Sequence, residues 1–290
     1  MRIVSLLPSA SDIIVALGAR DSLVGVSHSC GPGFDDLPKL TSTSIDVRAS
    51  SADIDEQVRQ ASGPLYTLNL DLLAELQPDV IVSQSLCEVC AVSVKAVEEA
   101  VEQLGKRPIV VNLAPFRLHD IAHGFLQVGE AIGRVEEARR LQLCWDRRLA
   151  LLHNLYATQA WRVAFLDWLD PLFIAGHWIP DMISWLGMEP VIAKAGQASF
   201  PISFNTLKQA KPDYVIAACC GFSEQRSQLD QESIDLPVHI LDGYEHFNRP
   251  SPVLMQSFDL IVRLFDTLEP AARGFPAHSK INEWLSPKFD

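Results

Sequence analysis

From Ile3 to Val111 short apolar runs alternate with stretches of helical spacing. Ile3-Val4-Ser5-Leu6-Leu7 is a continuous apolar run of the kind that forms a parallel strand buried on both faces. Pro8-Ser9-Ala10-Ser11 breaks it, with Ser9 or Ser11 placed to cap a helix that runs through Leu17 and stops at Gly18. Leu23-Val24-Gly25-Val26 is the next strand, and Ser27-His28-Ser29-Cys30-Gly31-Pro32-Gly33 is a loop by every turn signal. Asp71 to Leu76 is a short helix ended by Gln77-Pro78. Val80-Ile81-Val82-Ser83-Gln84 is a strand, a helix follows from about Val94 to Leu104, and Pro108-Ile109-Val110-Val111 is a further strand. This order predicts an α/β fold, a parallel sheet covered by helices.

From Leu118 the rhythm changes. Leu118, Ile121, Phe125, Val128, Ile132, Val135, Ala138, Leu141, Trp145, Leu149, Leu152 and Leu155 recur every three or four residues with charges between them. One helix of that length would reach roughly 57 Å at 1.5 Å per residue. Gly124, Gly129 and Gly133 weaken it and leave a kink or a two-piece helix open. The chain then begins again. Arg162-Val163-Ala164-Phe165-Leu166 is a strand, Asp167 to Pro171 a loop, and Leu172 to His177 leads into a helix from Pro180 to Leu186. Leu73-Ala74-Glu75-Leu76-Gln77-Pro78-Asp79-Val80-Ile81-Val82 has its echo in Leu207-Lys208-Gln209-Ala210-Lys211-Pro212-Asp213-Tyr214-Val215-Ile216. Both read as helix end, Pro-Asp turn and buried strand, so two similar α/β lobes account best for the pattern.

Composition narrows the function. With 290 residues, 48% apolar and 21% charged, the chain is of ordinary globular make-up and long enough for two domains. No charge-free run exceeds 13 residues, so no membrane insertion is expected. Lysine and arginine number 24 against 36 acidic residues, and a net charge of -12 argues against a nucleic-acid partner. Met1 to Pro8 has the cation and apolar stretch of a secretory leader. Pro8 and Asp12 interrupt it and no cleavage site follows, so it is read as the first strand. Cys30, Cys87, Cys90, Cys144, Cys219 and Cys220 are too sparse for a disulfide scaffold. The adjacent Cys219-Cys220 suits a reducing compartment, and the cytoplasm is expected.

In open α/β sheets ligands bind outside the carboxyl ends of the strands. The loops leaving the strands hold Pro8-Ser9, Ser27 to Cys30, Gln84 to Cys90, Asp167 to Asp170, Cys219 to Phe222 and Gly243 to Phe247, rich in aromatics, histidine and cysteine and poor in lysine. That excess of apolar groups points to a recessed face. Cys87-Glu88-Val89-Cys90 has three readings: a redox pair, half of a zinc or iron site completed by Cys30 and by His28 or His177, or small side chains lining a pocket. His177-Trp178 suits a metal, a polar ligand group or a plain helix start. Trp168 and Tyr244 suit a stacking wall for a planar ligand. Arg249-Pro250-Ser251-Pro252 reads as structural, with Ser251 an N-cap. No GxGxxG, Walker loop, HExxH or GxSxG occurs, and no reaction centre is in view.

The stretches Ile3 to Ala10, Ala16-Leu17-Gly18, Val24 to Ser27, Leu73 to Ile81 and Phe247 to Pro252, in this order, resemble the class III solute-binding proteins of ABC importers. The likeness is to the cobalamin-binding branch and its relatives for iron-siderophores and haem, and it runs to about Leu268. It implies two Rossmann-like α/β lobes, residues 1–117 and 158–268, joined by a single long interdomain helix over 118–157, with the ligand cleft between the lobes. Residues 269–290 form a tail outside the resemblance. It implies non-enzymatic binding of a large cofactor-like ligand, a corrinoid such as cobalamin first, with an ABC permease as partner. Carried over by position, Pro8, Ser27, His28, Gln84 and Ser85 face the ligand from the first lobe, and Trp168, Asp170, Cys220 and Tyr244 from the second. Cys87, His177 and Trp178 join them as features the exported corrinoid binders do not generally share. Cys30, Cys87, Cys90 and His177 are the candidate ligands should zinc or iron be held. Exported relatives carry a leader or lipid anchor, so the cytoplasmic reading holds unless a leader has been trimmed from a periplasmic protein.

Overall fold

The computed structural model describes residues 1–86, 92–156, 161–231 and 237–268. Strand β1 (Ile3–Ser5) runs into helix α1 (Pro8–Ala16), and β2 (Leu23–Val26) lies parallel beside β1. An excursion follows. Strand β3 (Thr41–Thr43), helix α2 (Ser51–Gln60) and strand β4 (Tyr66–Leu68) leave the sheet, with β3 and β4 paired as a separate antiparallel ribbon. Helix α3 (Leu70–Leu76), strand β5 (Val80–Gln84), helix α4 (Val94–Glu102) and strand β6 (Ile109–Leu113) then complete a four-stranded, all-parallel sheet in the order β2-β1-β5-β6.

The stripe that starts at Leu118 is not one helix. It forms α5 (Leu118–Ala131) and α6 (Val135–Tyr156), and the chain folds back between them. The rings of Phe125 and Trp145 lie 5.5 Å apart, edge to face. Those positions would be separated by roughly 30 Å on a straight helix. The turn is a glycine-closed helix end: Gly133 has φ of +71° and the Arg134 N–H reaches back to the Gly129 carbonyl at 2.7 Å. Gly129 itself lies against the Cβ of Ala138, an approach that leaves no room for a side chain. The expected single interdomain helix over 118–157 is therefore replaced by a hairpin, and only α6 leads on to the second sheet.

That sheet comprises β7 (Arg162–Leu169), β8 (Leu172–Ile174), helix α7 (Ile179–Trp185), β9 (Glu189–Pro190), β10 (Phe200–Pro201), helix α8 (Phe204–Gln209), β11 (Tyr214–Ala217), helix α9 (Glu224–Gln231) and β12 (Val238–Ile240). Strands run in the order β10-β8-β7-β11-β12, with β9 beside β7. β7, β11 and β12 are parallel, while β8 and β10 add an antiparallel edge. Helix α10 (Leu254–Leu268) closes the described chain, and no helix among the described residues is long and apolar enough to cross a membrane.

The two lobes share one core. Ile14 of α1, Phe125 of α5, Trp145 of α6, Met182 of α7 and Phe258 of α10 belong to a single apolar cluster, each no more than 3% exposed. Each sheet's other face has its own cluster, around Val4, Ile81 and Val97 in the first lobe and around Ala164, Leu166 and Val215 in the second. A shared core of this size opposes any hinge that would part the lobes.

Candidate functional site

The loops at the carboxyl ends of the parallel strands meet between the lobes. After β2 comes Ser27 to Gly31, and after β12 a π-helical turn over Gly243–Phe247. The Tyr244 hydroxyl in that turn donates to the Ser29 carbonyl at 3.3 Å. Gly31 lies beneath the same hydroxyl, which would stand 2.9 Å from a Cβ there. His28 is held by the β3–β4 ribbon. Its N–H donates to the Thr41 hydroxyl at 3.0 Å, its Nδ1 lies 2.7 Å from that hydroxyl and its Nε2 3.2 Å from Ser29 Oγ. The Ser27 hydroxyl joins Thr41 at 3.0 Å, and the Tyr66 ring lies 5.7 Å from the imidazole. Burial, and after it the Lys39 charge, pushes His28 below its ordinary pKa, so the ring is neutral at neutral pH.

A second contact between the lobes is made by Trp168. Its indole N–H donates to the Asp170 carbonyl at 3.0 Å and to the Ser51 carbonyl, from the first lobe, at 3.3 Å. Its ring lies 4.8 Å from Phe222, over which the Arg226 guanidinium sits at 4.3 Å. Asp170 is exposed and Cys220 half-buried, its N–H on the Asp167 carbonyl at 3.0 Å. Cys219 is buried and its thiol pushed up to about 12 by desolvation, so it stays protonated. Asp167 was not among the expected residues. Desolvation pushes its carboxyl up to about 6, although the Ser199 hydroxyl bonds to it. The sequence pattern ends the strand at Leu166 and puts Asp167 in a loop, whereas β7 continues to Leu169, so the acid sits within an otherwise apolar strand.

In the first lobe Pro8 opens α1 at the end of β1, Gln84 ends β5 and is buried, and Ser85 is exposed with its N–H on the Leu113 carbonyl at 3.0 Å. Trp178 is not a wall of the cleft. It is 5% exposed and its indole N–H is satisfied by the Phe247 carbonyl at 3.0 Å, which makes it core. His177 is half-buried beside Phe116, ring centres 6.2 Å apart, in a left-handed backbone with φ of +50°. Cys30 is 3% exposed, 3.3 Å from the Ser11 hydroxyl, and burial pushes its thiol up. Its side chain packs in the shared apolar core. Among the described residues no three His, Cys, Asp or Glu side chains gather as a metal ion would require, and Cys87 and Cys90 lie outside the described residues.

Two bidentate ion pairs, unforeseen in the sequence, tie the lobes beside the cleft. Arg117 donates to Asp181 at 2.8 and 2.6 Å, and the Leu118 N–H adds a bond of 3.1 Å to the same carboxylate. Arg249 donates to Asp12 at 3.0 and 2.6 Å, joined by the Ser251 hydroxyl at 3.0 Å. Burial raises the Asp12 carboxyl in spite of Arg249. Ser251 Oγ also accepts the Val253 N–H at 3.3 Å, the cap expected ahead of α10.

Two α/β lobes whose strand-end loops converge are the architecture of a two-lobed solute-binding protein. The family model described as periplasmic binding protein matches residues 3–237, and the chain belongs to that family. The family is non-enzymatic, its members being the solute-binding proteins of ABC importers. Solved structures share the fold. The periplasmic vitamin B12 binding protein BtuF of Vibrio cholerae is 20% identical, with a TM-score of 0.62 over 90% of this chain and 94% of that one. The periplasmic heme-binding protein RhuT from Roseiflexus sp. RS-1 is 21% identical, with a TM-score of 0.66 over 91% and 98%. A protein from Staphylococcus epidermidis described as a possible iron-binding, periplasmic solute-binding protein is 18% identical, with a TM-score of 0.67 over 91% and 98%. A search of curated proteins finds no match. At these identities the likeness carries the fold and does not choose among ligands.

Proposed function

We propose that the chain binds a large planar cofactor, a corrinoid of the cobalamin type, in the cleft between its lobes and presents it to an ABC permease. One observation carries the reading. The aromatic groups at and beside the strand ends have their polar ends satisfied by protein: Trp168 by Asp170 and Ser51, His28 by Thr41 and Ser29, Tyr244 by Ser29. Such groups offer ring faces rather than hydrogen bonds, which suits a flat conjugated ligand. Fold relatives named for vitamin B12 and for heme support the same ligand class. The test is titration of the purified chain with cyanocobalamin and, separately, with haemin, followed by absorbance and calorimetry. Saturable one-to-one binding of cyanocobalamin, with Kd of about 1 μM or tighter, is expected. Binding of haemin alone moves the chain to the haem branch. A protein that carries zinc or iron and ignores both overturns the reading in favour of the Cys87/Cys90 metal site. The cytoplasmic compartment stands as a proposal beside it, tested by cell fractionation with an antibody to the chain.

A further inference from the structure

The β3–α2–β4 excursion belongs to the first lobe by sequence and to the second by packing. Of the ten residues of α2 only Ser51 and Ile54 are buried. Ile54 joins the second lobe's apolar cluster, with Ala164, Leu166, Phe222 and Val238. The Ser51 hydroxyl donates to the Asp230 carboxylate of α9, and Asp230 is paired with Arg226 at 2.9 Å. Arg226 reaches back to the Ala49 carbonyl at 2.8 Å. On the first-lobe side the excursion is joined through the two-stranded ribbon, with Thr43 opposite Tyr66. Residues 44–65 thus leave and re-enter their lobe at one point.

The segment also holds itself together. Ser50 Oγ accepts the Asp53 N–H at 3.1 Å, Gln57 Oε1 accepts the Asp46 N–H at 2.9 Å, and Arg59 pairs with Asp55 at 2.8 Å. Lifting it would leave Trp168 its bond to Asp170 and Asp230 its bond to Arg226, so those partners keep an acceptor or donor. The losses are the burial of Ile54, the packing of the part-buried Ile45 and Ala49, and the Arg226 bond to the Ala49 carbonyl. A helix with two buried side chains and few outside contacts belongs to the least stable part of a fold.

We propose that residues 44–65 form a strap over the Trp168 side of the cleft, hinged at Thr43 and Tyr66 and latched by Ser51, Asp230 and Arg226. The strap opens as a unit while the lobes stay joined, and its opening admits the ligand. The admission step rests on the cleft reading above; the opening does not. Hydrogen exchange of the full chain, read by mass spectrometry, tests the opening. Peptides covering 44–65 are expected to exchange at least about tenfold faster than those of β1, β5, β7 and β11. Asp230→Asn, and the milder Ser51→Ala, should speed them about tenfold further and leave both sheets unchanged. Protection of 44–65 equal to that of the strands, or a variant effect spread over both sheets, overturns the strap. Stopped-flow binding of cyanocobalamin or haemin, whichever titrates, tests admission. Asp230→Asn should raise association and dissociation rates together, by about tenfold, with affinity changed less than about threefold. Faster exchange with unchanged rates overturns the gate. If neither probe binds, the cleft reading falls and the gate with it, while the exchange pattern still decides whether the strap opens.

Discussion

Gln77 in the first lobe and Lys211 in the second both hold a left-handed backbone, φ +43° and +46°, at the close of a helix, and both are followed by Pro-Asp and a buried parallel strand. In each lobe the aspartate accepts an N–H at the start of the neighbouring strand, from Arg2 just before β1 to Asp79 at 2.7 Å and from Arg162 of β7 to Asp213 at 2.8 Å. In each, the aspartate's own N–H answers to that residue's carbonyl, at 2.8 and 2.7 Å. The lobes part company toward the cleft. Five residues beyond Arg2 stands Leu7, 4% exposed, and five beyond Arg162 stands Asp167 with its raised carboxyl. The first lobe adds the strap, the second an antiparallel edge of β8 and β10. The shared residues set where strands begin, at the end of each sheet opposite the strand-end loops. The unshared ones lie toward the strand ends, where function is free to vary over a common scaffold.

The largest expected effect separates the two ion pairs that join the lobes. Asp12→Ala leaves the Arg249 guanidinium, 15% exposed, without its partner, and a loss of about 3–5 kcal/mol in urea unfolding is expected. Asp181→Ala should cost clearly less, because the Arg117 guanidinium it leaves behind is 45% exposed. Equal losses would show that burial does not rank the pairs.

Asp167 gives the next. Its unfolded carboxyl titrates near 3.8 and its folded one at about 6, so the folded state holds the proton more tightly. Stability therefore falls as pH rises between those values, by up to about 3 kcal/mol. Asp167→Asn should abolish that fall, leaving the variant more stable than the parent above pH 6 and close to it below pH 4. Parallel stability curves for the two proteins would break the contrast with Leu7.

Gly129→Ala is decided by its sign. In one continuous helix the change would stabilise by about 1 kcal/mol. In the α5–α6 hairpin the new methyl group meets Ala138, and a loss of about 1–3 kcal/mol is expected in the same measurement. Smallest are Gln77→Gly and Lys211→Gly, each relieving a left-handed residue for a gain of about 0.5–1 kcal/mol. If only one of them gains, the two turns are not equivalent.

Local signals made the strands and turns legible. The apolar runs read from Ile3, Leu23 and Val80 stand as β1, β2 and β5, and the Pro-Asp echo marks matching strand starts, because turn chemistry and strand burial act over a few residues. The approach of the Tyr244 turn to the Ser27–Gly31 loop followed from the rule that ligand loops leave the carboxyl ends of parallel strands. Other features had no local mark. Trp168 and Trp178 are both loop-borne tryptophans in the sequence, and only packing put one on the Ser51 carbonyl of the first lobe and the other on the Phe247 carbonyl.

By itself, then, the sequence determined the alternation of strands and helices, the repeat of two lobes and the apolar faces of α5 and α6. Only the tertiary structure decided that those faces meet each other, that Asp12 finds Arg249 and Asp181 finds Arg117, and that α2 crosses to the other lobe. The physical reason is range. Periodicity states which side of an element must avoid water, while the partner that covers that side is chosen by packing among residues far apart in the chain.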